Sequence, residues 1–174
     1  MLDSPEFFDF LNRNSKGFLS KDKSVLKEII LKSLEIKYKF VKSDIYDSGQ
    51  RRLLNFGHSF AHVIELLSKY KISHGEAVAI GMLMACKYSV EQKHCDLKIY
   101  NKIKLCFGHY FSLNDLQKKY DKLEKDKFVY FLKSDKKNIK NQINLVLIND
   151  LGKCFIESNN KINVLVKFIK DFHV

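Results

Sequence analysis

The chain has 174 residues, 45% of them hydrophobic, which is enough for one packed domain spanning residues 1–174. Lys and Arg outnumber Asp and Glu by 31 to 20, giving a net charge of +11. The longest apolar run, at residues 77–86, is shorter than the roughly 20 residues that a membrane-spanning helix needs. The N-terminus also lacks the apolar core of a signal peptide, so we expect a cytoplasmic protein without a membrane partner.

The excess positive charge comes mostly from lysines spread along the chain. Such a distribution is typical of a solvated surface, with a nucleic-acid footprint as the alternative. We favour the surface interpretation and predict no nucleic-acid partner. The four cysteines include no C-x-x-C pair, so we expect reduced thiols rather than a zinc knuckle or a disulfide scaffold.

The first part of the chain is predicted to be helical. Ser4 and Pro5 form a good helix start, and the apolar residues of the short helix that should follow are Phe7, Phe8 and Leu11. A longer helix is predicted over residues 22–41. The residues spaced for one apolar face of that helix are Val25, Leu26, Ile29, Ile30 and Leu34. Residues 44–50 are predicted to form a loop.

Further helices are predicted over residues 55–67, 75–92, 99–106, 126–133 and 161–172. In the second of these, small side chains let another backbone approach closely; they are Ala77, Ala79, Gly81 and Ala85. The period changes near the C-terminus, where residues 143–147 and 154–157 are predicted to form two strands joined by a turn. The sequence therefore predicts a mainly α domain with one small β-hairpin.

Three of the six histidines lie close together in the sequence. On a helix, His58 and His62 share a face, with Glu65 near it. His74 follows a short predicted turn, so a helix pair can bring it next to His58. Two imidazoles there can bind one divalent metal, with His62 beside them to transfer protons. Ordinary helix histidines are the alternative. Gly75, directly after His74, leaves room for a ligand or another backbone to approach.

Arg51, Arg52 and Asn55 precede the predicted third helix. At the N-terminal end of a helix, the dipole and the free amides favour an anion. An arginine pair before a helix is also common on an ordinary surface.

Residues 51–62 and 74–82 resemble a motif of the 3-dehydroquinate synthase family. The family motif is R-x-x-L-N-[FL]-G-H-[ST]-[FI]-G-H, followed by H-G-E-A-V-A-x-G-M. This chain reads R-R-L-L-N-F-G-H-S-F-A-H, then H-G-E-A-V-A-I-G-M. Further similar elements are Lys37, a D-K-K segment at residues 135–137 and residues 1–11, which resemble the family's L-D-x-x-F-F-x-x-L segment. The resemblance spans nearly the whole chain and implies the helical C-terminal domain of the dehydroquinate synthase-like fold.

The resemblance also implies a role for each matching residue. His58 and His74 would be two of three ligands of a zinc or cobalt ion and would also contact the substrate, while His62 would move protons. The residues that would hold the anionic and hydroxyl groups of the substrate are Lys37, Arg51, Asn55 and one of Lys136 and Lys137.

Two positions depart from the family pattern. Ala61 stands where the family has glycine, and the extra methyl group affects a helix contact rather than the chemistry. Asp47 stands where the family has a glutamate that is proposed as a proton acceptor, so its side chain is one methylene shorter.

The activity implied by the resemblance is that of a phosphorus–oxygen lyase of the shikimate pathway, which leads to chorismate and the aromatic amino acids. It converts 3-deoxy-D-arabino-heptulosonate 7-phosphate, a phosphorylated keto-acid sugar, to 3-dehydroquinate and phosphate, with NAD+ as cofactor. In the family, the NAD-binding domain and the third metal ligand, a glutamate, lie upstream of the part matched here. The chain alone is therefore expected to be incomplete and to act with a separate N-terminal half or in a homodimer.

Several alternatives stay open. One is another sugar-phosphate cyclase or a polyol dehydrogenase relative. The others are a non-catalytic remnant, an incomplete gene model that lost its start, and a basic binding module on the same scaffold. The joint presence of the three clustered histidines with Lys37, Arg51 and Asn55 argues against advanced decay.

Overall fold

The computed structural model describes residues 4–134 and 143–174. Within this range it contains nine α-helices, one 3-10 helix and one antiparallel pair of strands. The helices that precede the central pair are α1 (Pro5–Arg13), α2 (Ser15–Leu19), α3 (Lys23–Ser43) and the 3-10 helix Gln50–Asn55. The remaining elements are α4 (His58–Leu67), α5 (His74–Glu91), α6 (Leu97–Gly108), α7 (Leu113–Asp121), α8 (Lys125–Ser134), β1 (Ile143–Asp150), β2 (Lys153–Asn160) and α9 (Ile162–Asp171). The mainly helical class with one hairpin is confirmed.

Local capping explains where the first helices begin. The Ser4 hydroxyl accepts a hydrogen bond from the Phe7 amide at 3.0 Å, and the Asp22 carboxylate accepts one from the Ser24 amide at 2.8 Å. Each side chain satisfies an amide that the first helical turn leaves free. The short α2 and helix α7 were not predicted, although Ser112 caps α7 by accepting from the Asp115 amide.

Helix α3 leaves Ile30 and Leu34 of its predicted apolar face exposed, whereas the other three residues of that face are half-buried: Val25, Leu26 and Ile29. Ile30, Leu34 and Tyr38 keep 57%, 56% and 65% of their surface exposed, and Phe40 is the residue of α3 that is buried. The helix packs against α2 and the 3-10 helix. The apolar spacing correctly predicted an amphipathic helix. No other described element covers the exposed stripe formed by Ile30, Leu34 and Tyr38.

Helices α4 and α5 form the central pair. The single helix predicted over residues 55–67 is wrong at its start, because the chain forms a separate 3-10 helix and then α4 from His58. Gly57 separates the two with a φ of 82°, which is the left-handed conformation that glycine tolerates. A β-carbon on Gly57 would lie 2.6 Å from the Met82 amide, and one on Gly81 would overlap the Gly57 carbonyl oxygen. The predicted close approach at Gly81 is therefore confirmed, and Ala61 is accommodated fully buried beside it.

The hairpin and the later helices complete the core around α5. Strand β1 packs on α5, and helix α8 packs on α4 and on α9. In the hairpin, Leu147 pairs with Phe155. The buried Ser89 hydroxyl of α5 accepts a hydrogen bond from the Ile148 amide at 3.1 Å, which ties the strand to the helix. The other predicted elements are confirmed with ends shifted by at most three residues. None of the helices in the described residues is long and apolar enough to cross a membrane.

The four cysteines are free thiols, as expected. Cys86 and Cys106 are buried, while Cys95 and Cys154 are half-buried. Burial raises the pKa of the Cys154 thiol to about 12 and that of Cys86 further still. These side chains therefore act as small core residues rather than as nucleophiles.

Candidate metal and substrate site

The structure brings the three clustered histidines together. His58 is the first residue of α4, His62 lies one turn later, and His74 is the first residue of α5. The ring centroids of His58 and His74 are 5.7 Å apart, and those of His58 and His62 are also 5.7 Å apart. When two imidazoles bind the same metal ion with metal–nitrogen distances of about 2.0–2.1 Å, their ring centroids lie roughly 5–6 Å apart. The predicted proximity of His58 and His74 is confirmed, and their spacing fits a shared ion.

A network at the start of α5 sets the position of His74. The Glu76 carboxylate accepts hydrogen bonds from the Ser73 amide at 3.2 Å and from the Ser73 hydroxyl at 2.9 Å. Its other oxygen accepts from the Lys119 ammonium of α7. The bond from Lys119, followed by those from Ser73, holds the pKa of Glu76 below its ordinary value of 4.5. The first turn of α5, and with it His74, is therefore anchored by a charged carboxylate.

Glu65 makes a contact that the sequence did not predict. Its Oε1 lies 3.0 Å from Nδ1 of His74, and its side chain is 13% exposed while that of His74 is 61% exposed. Helical spacing placed Glu65 near His58 and His62 but could not show its partner, because the turn between α4 and α5 decides it. Lys69 and Tyr70 in this turn take left-handed φ values of 52° and 59°.

The donor set suits zinc or cobalt, because both metals take neutral imidazole nitrogens. With Nδ1 of His74 engaged by Glu65, the Nε2 nitrogen of the same ring is the one left for a metal ion. In residues 4–134 and 143–174, no three His, Cys, Asp or Glu side chains stand together as a complete metal site. The two histidines would therefore hold an ion with coordination positions left for other ligands.

The anion-binding candidates lie on two neighbouring elements. Lys37 is exposed on α3, whereas Arg51 and Asn55 are half-buried in the 3-10 helix that packs against α3. Arg51 and Asn55 precede α4, as predicted, but they belong to the separate 3-10 helix that Gly57 divides from α4. One guanidinium nitrogen of Arg51 donates to the Ile45 carbonyl at 2.9 Å, which holds the side chain in place.

The predicted loop after α3 is organised by Asp44. Its carboxylate accepts hydrogen bonds from the amides of Gly49 at 2.7 Å and of Arg51 at 3.1 Å. These bonds, led by the one from Gly49, lower the pKa of Asp44. Asp47 lies exposed in the same loop with a left-handed φ of 52°. Lys136 and Lys137 lie outside the described residues.

Comparison with known proteins assigns the family. Residues 1–138 match the family model described as 3-dehydroquinate synthase C-terminal. The chain belongs to the 3-dehydroquinate synthase family. Both motif segments fall inside the matched range.

Curated 3-dehydroquinate synthases resemble the chain over most of its length. It is 36% identical to the one from Dictyoglomus thermophilum, over 98% of this chain and 47% of the relative. It is 37% identical to the one from Thermoanaerobacter pseudethanolicus, over 91% of this chain and 44% of the relative. It is also 37% identical to the one from Campylobacter jejuni, over 94% of this chain and 47% of the relative. The chain thus spans about half the length of the synthases it matches, and it corresponds to their C-terminal part.

Solved structures support the same fold. A 2-deoxy-scyllo-inosose synthase crystallised with carbaglucose-6-phosphate, NAD+ and Co2+ superposes with a TM-score of 0.74 at 21% identity, covering 86% of this chain and 41% of that one. Another structure of a 2-deoxy-scyllo-inosose synthase gives a TM-score of 0.55 at 22% identity, covering 74% of this chain and 34% of that one. The chain therefore has the dehydroquinate synthase-like fold.

Proposed function

We propose that this chain forms the metal- and substrate-binding half of a 3-dehydroquinate synthase. The observation that carries the proposal is the pair of imidazoles at His58 and His74, 5.7 Å apart, in a domain of this family. The reaction would be the conversion of 3-deoxy-D-arabino-heptulosonate 7-phosphate to 3-dehydroquinate and phosphate in the cytoplasm. When bound, NAD+ would accept and return a hydride, and a zinc or cobalt ion would polarise the reacting oxygen.

The residues of this chain would bind and orient the substrate and move protons. His58 and His74 would bind the ion and the substrate hydroxyls near it. His62 is exposed one turn from His58, and its side chain would accept and return a proton there. Asp47 would act as a second proton acceptor at the loop after α3.

The positively charged candidates would hold the two anionic ends of the substrate. They are Lys37, Arg51 and one of Lys136 and Lys137, with Asn55 donating to a hydroxyl. A substrate that is bound through both its phosphate and its carboxylate stays in place during the successive reaction steps. The net charge of +11 also favours the approach of a phosphorylated acid.

The N-terminal half of a synthase, or a partner that contains one, would complete the site. The related synthases are about twice as long as the part matched here. Their remaining half would supply NAD+ binding and a third metal ligand. The exposed side chains of Ile30, Leu34 and Tyr38 on α3 support this proposal, since such a stripe is typical of a surface that another element covers.

A complementation assay tests the proposed function. The chain is mixed with the separately expressed N-terminal half of the Dictyoglomus thermophilum relative in the presence of zinc and NAD+, and release of phosphate and 3-dehydroquinate is followed. We expect turnover of 3-deoxy-D-arabino-heptulosonate 7-phosphate from the mixture and none from either half. Full activity of the isolated chain would overturn the two-part proposal. In the active mixture, unchanged turnover by His58→Ala and His74→Ala would overturn the metal assignment.

Another sugar-phosphate cyclase is the second candidate, because a 2-deoxy-scyllo-inosose synthase shares the fold. Such cyclases would differ mainly in their contacts to the substrate. A panel of phosphorylated sugars in the same complementation assay separates the candidates. Preferential turnover of a phosphorylated sugar without a carboxylate would favour the second.

A further inference from the structure

The distances between the rings leave two possible partners for His58. His62 and His74 both place their ring centroids 5.7 Å from that of His58. On ring spacing alone, either pair fits one ion. The choice between them has to come from how each ring is held.

The Glu65 carboxylate distinguishes the two rings. Its Oε1 lies 3.0 Å from Nδ1 of His74. His62 makes no side-chain hydrogen bond within the part of the chain that the structure describes, and its ring is exposed on α4. A histidine that binds a metal usually donates its other ring nitrogen to a carboxylate or a carbonyl, which fixes both the tautomer and the ring orientation.

Glu65 itself is firmly placed. Its side chain is 13% exposed, and its carbonyl oxygen accepts hydrogen bonds from the Tyr70 amide at 2.8 Å and from the Ser68 hydroxyl at 3.0 Å. Its main chain thus closes the turn that leads to His74, and its side chain binds the ring at the end of that turn. The His74 side chain is 61% exposed, so a ring without this partner would be free to change rotamer and tautomer.

We infer that Glu65 is the positioning residue that selects His74 as the metal-binding partner of His58, by accepting a hydrogen bond from Nδ1 and leaving Nε2 for the ion. The inference rests on the proposed function, because it assumes that the ion is shared by His58 and His74. It adds a residue to the site that touches neither substrate nor metal. His62 is thereby left for proton transfer.

The tautomer of His74 in the metal-free chain gives the first test. Long-range proton–nitrogen correlation spectra, recorded where the rings are neutral, distinguish a proton on Nδ1 from one on Nε2. We expect the Nδ1-protonated form at His74 in the wild-type chain and in Glu65→Gln, whose amide oxygen can also accept. We expect a shift to the Nε2-protonated form in Glu65→Ala. Identical spectra for the wild-type chain and Glu65→Ala would overturn the inference.

Co2+ affinity, measured by competition with a chelator, gives the second test. We expect Glu65→Ala to weaken Co2+ binding by about 10- to 100-fold, with a smaller loss for Glu65→Gln. Glu91→Ala, an exposed change near the end of α5, should leave the affinity unchanged. Circular dichroism of each variant confirms that the helices are retained.

The variants separate this inference from the proposed function. If His74→Ala loses Co2+ affinity and Glu65→Ala does not, the positioning role of Glu65 is overturned, but the metal assignment of His58 and His74 is unaffected. Unchanged affinity in both variants would overturn the metal site and the inference with it.

Discussion

The carbonyl oxygen of Gly57 occupies the space where a side-chain carbon on Gly81 would lie. The start of α4 therefore rests directly on the backbone of α5. Because His58 follows Gly57, its position relative to His74 depends on this backbone contact as well as on the packing of α4 against α5.

A methyl group at Gly81 should disrupt the contact. We expect Gly81→Ala to lower the free energy of unfolding by about 1–3 kcal/mol, since the added carbon has to displace backbone atoms. Chemical denaturation followed by circular dichroism measures the change. Gly75→Ala in the same helix is the matched control, because a β-carbon there meets nothing within 4 Å. It should raise stability by about 0.5–1 kcal/mol through helix propensity. Equal changes in unfolding free energy for Gly81→Ala and Gly75→Ala would contradict the close approach of the two backbones at Gly81.

The stabilisation of the first turn of α5 by the Glu76 carboxylate should depend on pH. Because the pKa of Glu76 is held below 4.5 in the folded chain, its charged form contributes stability above pH 4.5. That contribution disappears as the pH falls through the lowered pKa. We expect Glu76→Gln to destabilise the chain by about 0.5–1 kcal/mol at pH 7, with the difference vanishing in acid. Urea titrations of both proteins at several pH values test this. A deficit that persists unchanged in acid would mean that the carboxylate charge plays no part.

The exposed stripe on α3 should affect association rather than folding. We expect Leu34→Lys to change the unfolding free energy of the isolated chain by no more than about 0.5 kcal/mol, because the side chain is 56% exposed. The same change should weaken complementation by the N-terminal half. Phe40→Ala on the same helix is the contrasting control and should cost about 3–5 kcal/mol, since only 6% of Phe40 is exposed. Strong destabilisation by Leu34→Lys, with complementation intact, would show that the stripe packs within the chain.

Local signals in the sequence predicted much of the fold. Ser4 marked a helix start because capping involves neighbours only a few residues apart, and apolar spacing placed the start of the next long helix near Asp22. The proximity of His58 and His74 was predictable because a short turn constrains the two helices to lie side by side. The motif then identified the family and the candidate roles, which spacing alone left open.

Features that depend on tertiary structure were not predictable. The partner of Glu65 is set by the left-handed residues of the turn before α5, and no periodicity encodes them. The exposure of Leu34 could not be predicted, because apolar spacing shows that a helix has an apolar face but does not show whether another element packs on that face. The break before α4 was missed because Gly57, inside a helical pattern, gave no indication of its left-handed φ.

Metal binding by the isolated chain tests the central claim most directly. Co2+ is titrated into the wild-type chain and into His58→Ala, His74→Ala and His109→Ala, with the last replacing an exposed histidine on the surface. If His58 and His74 share one ion, the wild-type chain binds one Co2+, each of the first two variants loses at least about tenfold in affinity, and His109→Ala matches the wild type. Unchanged binding by His58→Ala and His74→Ala would contradict the account and favour a basic binding module that tolerates both changes.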